Sequence, residues 1–235
     1  VWVTYQGKVY DITEFIANHP GGADKIILAA GKDVEAFWHV YRQHYNSDLP
    51  KQILADLQIG VLHPDDVAKE AAAKEALNKD NPYANDPTRH PALKVHAKTP
   101  CNAETPKQLL VDHYVTPSEL WFVRNHHPVP DIDAEKWELS VNGLGVAETS
   151  LTLDDLKTRF KKREGTSTLQ CGGNRRAGLD KITKTAGTGW DAGAISTAKW
   201  SGVLLSDVLK YCGLSDEACE KSGVKHVQFQ AEEGL

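Results

Sequence analysis

The chain has 235 residues, 40% hydrophobic and 25% charged, with a net charge of −5. This is the composition of one or two globular domains. It leaves no basic footprint for nucleic acid and no apolar run near the ~18 residues that a membrane span needs. The cysteines Cys101, Cys171, Cys212 and Cys219 form no CxxC pair, which points away from zinc and from a disulfide framework.

Residues 1–63 read as one compact unit. Strands are expected over 1–5 and 8–11 around a Gln6-Gly7 turn, with Thr13 capping a brief helix over 14–18. Helices follow over 23–30, stopped by Gly31, over 34–41, and over 50–56 behind Pro50, before a strand over 58–62. Residues 64–90 hold almost no large apolar side chains. Their AKEAAAKEALNK run is helix-favouring and Asn81-Pro82 and Asp86-Pro87 break it, so they read as a polar tether, helical over about 67–77 and pivoting at 78–82.

From Pro91 to Leu235 a second domain is expected. Strands fit 121–123, 137–141 and 166–170; Thr152-Leu153-Asp154-Asp155 resembles a capping box for a helix to about Phe160; a short helix fits 206–211. The chain lacks Met, opens on the strand-like Val1-Trp2-Val3-Thr4-Tyr5, and its 227–231 also read as a strand. It is therefore expected to be cut from a longer protein, with any targeting segment outside it.

Two stretches carry chemistry. In the first, Asn18-His19-Pro20-Gly21-Gly22 lies between two short helices, and the glycines allow close approach to something flat. His44 follows after the apolar and aromatic Phe37, Trp38 and Tyr41, with His39 as a competitor one helical turn earlier. Two helical hairpins, each ending in a histidine, would clamp a haem. Filling both axial positions leaves the iron to carry electrons.

In the second, Leu169-Gln170-Cys171-Gly172-Gly173-Asn174-Arg175-Arg176 sets a thiol on a flexible loop beside two arginines. A structural cysteine in a glycine turn is the plain reading. A single thiolate suits a soft or high-valent metal only if an organic cofactor supplies further ligands. Arg124, Arg175 and Arg176 would meet an oxyanion.

The stretch VYDITEFIANHPGG resembles the haem signature of the cytochrome b5 fold, which implies a b-type haem with His19 and His44 as axial ligands over residues 1–63. Residues 81–87, 89–95, 124–126, 169–176 and 193–198 resemble, in order, the molybdenum domain of the animal sulfite oxidases. With the haem domain first, the order is that of sulfite oxidases and not of plant-type nitrate reductases. The implied fold class is α+β: a small haem domain, a tether, then an incomplete molybdopterin domain. The resemblance further implies Mo-molybdopterin held by Phe122, Val123, Arg124, Asn125, His126 and Cys171, with Cys171 on the metal.

By the same resemblance Arg124 and Arg176 hold the sulfite or sulfate oxyanion, while Arg175 serves either the pterin or a structural salt bridge. The implied reaction turns sulfite and water into sulfate and passes electrons through the haem to cytochrome c. The implied setting is the mitochondrial intermembrane space, and the implied assembly is a homodimer formed through a C-terminal domain beyond Leu235. Residues 1–90 hold nine Lys/Arg against thirteen Asp/Glu, the remainder eighteen against nineteen, a weak acidic bias toward a basic partner. The family's later cofactor contacts lie beyond 235, so a chain ending there is expected to bind haem and hold molybdopterin poorly. A nitrate-reducing relative and a haem-only electron carrier are the alternative readings.

Overall fold

The computed structural model describes residues 1–68 and 81–231. It is an α+β protein whose packing divides the chain into two compact units. One comprises Val1–Val129 with Thr168–Thr197, the other Pro130–Ser167 with Ala198–Leu235.

The first unit begins with an antiparallel sheet ordered β1-β2-β3, formed by Trp2–Tyr5, Lys8–Asp11 and Gln58–Val61. Gln6 and Gly7 both take positive φ, 50° and 76°, as a two-residue hairpin turn whose twist matches the strands requires. Alternation then decides what is inside: Val3, Tyr5, Tyr10 and Ile12 are buried, between exposed or half-buried neighbours. They meet helices α1 (Ala23–Ile26), α2 (Glu35–Val40) and α3 (Leu49–Asp56) through Ala29, Val34, Phe37, Trp38 and Leu54.

Two expected helices differ in detail. The 14–18 helix is only a 3-10 turn over Ile16–Asn18, because Thr13 spends its hydroxyl on Asp11 instead of capping. The 23–30 helix tightens into a 3-10 turn at Ile27–Ala29 before Gly31 at φ 70°. Helical structure extends over residues 64–68; the rest of the expected tether helix and most of its pivot lie outside the described residues.

The same unit holds a second antiparallel sheet, β4 (Lys94–Ala97), β5 (Asn102–Glu104) and β6 (Val123–Arg124). All three residues of β5 are buried. The core of the first sheet continues here, since Ala92, Leu109 and Leu120 belong to the same apolar cluster. The thiol loop and a single helical turn, α5 (Arg176–Leu179), also lie in this unit.

In the second unit, the hairpin of β7 (Glu138–Val141) and β8 (Thr149–Thr152) feeds α4 (Leu153–Arg159). The capping box is present: Asp155 N–H donates to Thr152 Oγ1, and Thr152 N–H donates to the Asp155 carboxylate, each at 3.1 Å. Leu151, Val208 of α6 (Leu205–Tyr211) and Cys212 form its core, and α7 spans Asp216–Ser222. The strand expected over 227–231 is absent, and those residues are exposed coil. Strand β9 (Arg163–Gln170), longer than expected, pairs with β10 (Ile195–Gly202), and the unit boundary falls within both.

Candidate functional site

His19 sits just after the 3-10 turn Ile16–Asn18, and His44 lies in a second 3-10 turn, Arg42–Tyr45. Each ring is fixed by a carbonyl three residues away. His19 Nδ1 donates to the Gly22 carbonyl at 2.9 Å, and His44 Nδ1 to the Tyr41 carbonyl at 2.8 Å. A carbonyl only accepts, so Nδ1 carries a proton in both rings, and in the neutral imidazole that arrangement leaves the lone pair on Nε2.

The ring centroids are 6.3 Å apart with planes 5° from parallel. Two metal–imidazole bonds of about 2.0–2.1 Å and two ring radii together span about 6 Å. The spacing therefore fits one metal ion between the rings. His39, the competitor, is exposed on α2 with its ring against Tyr45.

The two histidines line a cavity of about 400 Å³ walled by Phe15, Ile26, Phe37, Trp38, Leu54 and Leu109. The Trp38 ring lies 5.4 Å from that of His44, nearly parallel to it. Gly21 leaves room for the His19 ring, because a Cβ there would fall 2.7 Å from its Cε1. An apolar slot with two free imidazole nitrogens is what a flat iron macrocycle needs.

Leu109 comes from beyond residue 63 and is 4% exposed. Asp112 anchors its segment by accepting from Lys25 Nζ and from the Tyr41 hydroxyl, both at 2.7 Å. Burial alone would raise the Asp112 carboxyl, but the Lys25 and Tyr41 hydrogen bonds outweigh it and hold it below the usual range. Burial, and then the bond to Asp112, push the Tyr41 hydroxyl well up.

The cysteine is on a loop whose glycines give room. Cys171 is half-buried, and its Sγ accepts from Gly173 N–H at 3.5 Å. Among the described residues no three His, Cys, Asp or Glu side chains cluster as a metal site. A metal on this thiol would need its other donors from a cofactor.

Phe122, Val123, Arg124 and Asn125 line a separate cavity of about 780 Å³ together with Arg89 and His90. Arg89 Nε and Asn125 Nδ2 are buried without an acceptor, an arrangement that awaits an anionic or carbonyl-bearing ligand. These donors fit a phosphorylated pterin. Cys171, Arg176 and His126 are not among that cavity's lining residues. Phe122 is nevertheless tied to the segment beside the thiol, since its N–H donates to Ser196 Oγ at 3.2 Å while Cys171 N–H donates to the Ala194 carbonyl at 3.0 Å.

The arginines are occupied locally. Arg124 donates to Asn102 Oδ1 and the Asn125 carbonyl and touches His126 Nδ1. Arg176 donates to the Thr188 carbonyl and packs its guanidinium over Gly173 and Gly187. Arg175 is exposed, with its backbone left-handed at φ 67°. Sequence reasoning missed Glu104 and His96 in this region. Asn174 was read only as part of the thiol loop, and its link to the Gly193–Ala198 stretch, where Ala194 N–H donates to Asn174 Oδ1, was not.

Residues 1–63 match the cytochrome b5-like heme/steroid binding domain, and residues 126–234 match the oxidoreductase molybdopterin binding domain. Together the two matches take in most of the chain. Across both it is similar to sulfite oxidases: 44% identical to that of Gallus gallus over 98% of this chain and 48% of the relative, and 45% identical to the mitochondrial one of Homo sapiens over 98% and 40%. It is 39% identical to nitrate reductase [NADH] 2 of Phaseolus vulgaris over 61% of this chain and 16% of that protein. The chain spans less than half the length of these relatives. The histidine pair lies within the first match and the thiol loop within the second. Among the described residues no helix is long and apolar enough to cross a membrane.

Proposed function

We propose that this chain is the electron-carrying and cofactor-binding part of a sulfite oxidase. One observation carries the reading. Similarity to sulfite oxidases runs through both domains over 98% of the chain, with the b5-like domain first, whereas the nitrate reductase match spans 61%.

The organisation that goes with this reading is a haem domain over 1–63, a tether over 64–90 and a molybdopterin domain from 91 onward. His19 and His44 would hold a b-type haem through Nε2, each ring kept in orientation by its Nδ1 bond to a carbonyl. Cys171 supplies a thiolate to the molybdenum, and Phe122, Val123, Arg124, Asn125 and His126 bind the pterin. Arg124 and Arg176 orient the sulfite oxyanion, each guanidinium having more N–H donors than its present carbonyl bond takes. When bound, the molybdenum cofactor would supply oxygen-atom transfer and the haem one-electron transfer; the protein's share is position and field. The electron acceptor is cytochrome c, the protein is a homodimer, and its location is mitochondrial, in the intermembrane space.

The test is an assay of the full-length protein with sulfite or nitrate, following cytochrome c reduction for the first and nitrite formation for the second. Sulfite-dependent reduction of cytochrome c is expected. Nitrite formation without sulfite oxidation would replace this reading with nitrate reduction, and neither activity in protein loaded with both cofactors would leave an electron carrier.

A further inference from the structure

Glu104 is 1% exposed, at the end of the fully buried strand β5. A carboxylate in such a place is costly unless every oxygen is paired. Its Oε1 accepts from Asp191 N–H at 3.1 Å and pairs with His96 Nε2 at 2.9 Å; its Oε2 accepts from Gly193 N–H at 3.1 Å. Besides His96 and, at 3.6 Å, Lys94 Nζ, its partners are backbone N–H groups of one short segment, residues 190–194.

The other edge of that segment faces the thiol loop. The Ala194 carbonyl accepts from Cys171 N–H, the Asp191 carbonyl from Arg175 N–H and the Trp190 carbonyl from Ala177 N–H. Ala194 N–H in turn donates to Asn174 Oδ1 at 3.1 Å. The segment is therefore a strap with Glu104 on one side and the cysteine on the other. Gly193 lets it lie this close, since a Cβ there would come within 2.0 Å of the Thr105 carbonyl oxygen. Lys107 and Lys94 pair with the Asp191 side chain at 2.7 and 3.4 Å and hold the strap from outside.

We propose that Glu104, supported by His96, is a positioning residue for the Cys171 thiol, acting through the 190–194 strap. It touches neither cofactor nor substrate. It sets where the Cys171 backbone sits and so the direction from which Sγ approaches a metal. This rests on the reading that Cys171 ligates molybdenum.

The experiment uses full-length protein carrying Glu104→Gln, Gly193→Ala, His96→Leu or Cys171→Ser. The readouts are the molybdenum-to-haem ratio, the thermal unfolding of each variant, and the EPR spectrum of the molybdenum after chemical reduction, which needs no turnover. Glu104→Gln turns one acceptor into an amide donor facing a donor. Gly193→Ala lifts the strap while leaving the carboxylate in place.

Both are expected to shift the EPR spectrum in the same sense and to lower retained molybdenum by about tenfold, the scale for groups that orient a metal ligand from outside, with haem content unchanged. His96→Leu gives a smaller shift in the same sense. Wild-type spectra and metal content in folded Glu104→Gln and Gly193→Ala protein would overturn the proposal. If Glu104→Gln does not fold, Gly193→Ala and His96→Leu decide alone. A wild-type spectrum in Cys171→Ser would remove the ligand reading itself, and the proposal with it.

Discussion

His19 and His44 each take their orientation from a carbonyl three residues away. The thiol loop is held by a strap that a glutamate grips from 89 residues away in the sequence. The first arrangement is assembled once two short turns form, and it tolerates change elsewhere. The second exists only when β5, the strap and the loop have all reached their places, so its accuracy depends on tertiary structure. A redox protein needs different things of its two centres. Paired imidazoles would hold a group best by not moving, whereas a lone thiolate would have to be aimed from outside its own loop.

The largest expected effects test whether the two regions are separable. In the full-length protein, His44→Ala should abolish the six-coordinate haem spectrum and leave molybdenum content unchanged, while Cys171→Ser should abolish sulfite oxidation and leave the haem spectrum unchanged. His39→Ala should change neither. A variant that lost both centres would break the contrast.

Next is Leu109→Ala, which asks how self-contained the histidine clamp is. Removing a 4%-exposed leucine that walls the cavity should cost about 3 kcal/mol in denaturant unfolding and speed haem loss to an acceptor globin. Unchanged haem loss would confine the clamp to residues 1–63.

Asp112→Asn should cost about 2 kcal/mol, because it removes the charge that Lys25 and Tyr41 share. The Asp112 carboxyl is held below its usual range, so its contribution is fully present above about pH 4 and is lost as pH falls further, through the lowered folded value. The stability gap between wild type and variant should thus be flat from pH 5 to 8 and close in acid. A gap that grew in acid would contradict the assignment.

The smallest effect should come from Gly21→Ala, whose Cβ would press the His19 ring. About tenfold faster haem dissociation is expected, by analogy with other ligand-orienting groups, with molybdenum unaffected.

The same contrast explains what the sequence revealed. The Gln6-Gly7 turn, Pro50 at the start of α3 and the Thr152 capping box are local devices, and local devices leave local traces. The pairing of His19 with His44 was legible for that reason, and the structure sets the His44 ring beside that of His19 while His39 is exposed. Strand β5 reads Asn-Ala-Glu, which no hydrophobic periodicity marks as interior. It is buried because distant partners satisfy Asn102 and Glu104. Strand β9 was read only over 166–170, because all eight of its residues are exposed and it shows no alternation. Arg124 and Arg176 were legible as charges, but not in their present engagement with neighbouring carbonyls.

Leu109 gives the b5-like domain a wall from a part of the chain outside its own family match. Haem binding and the seating of residues 107–112 are therefore thermodynamically linked. Haem in the slot stabilises the seated segment, and the seated segment raises haem affinity by the same factor.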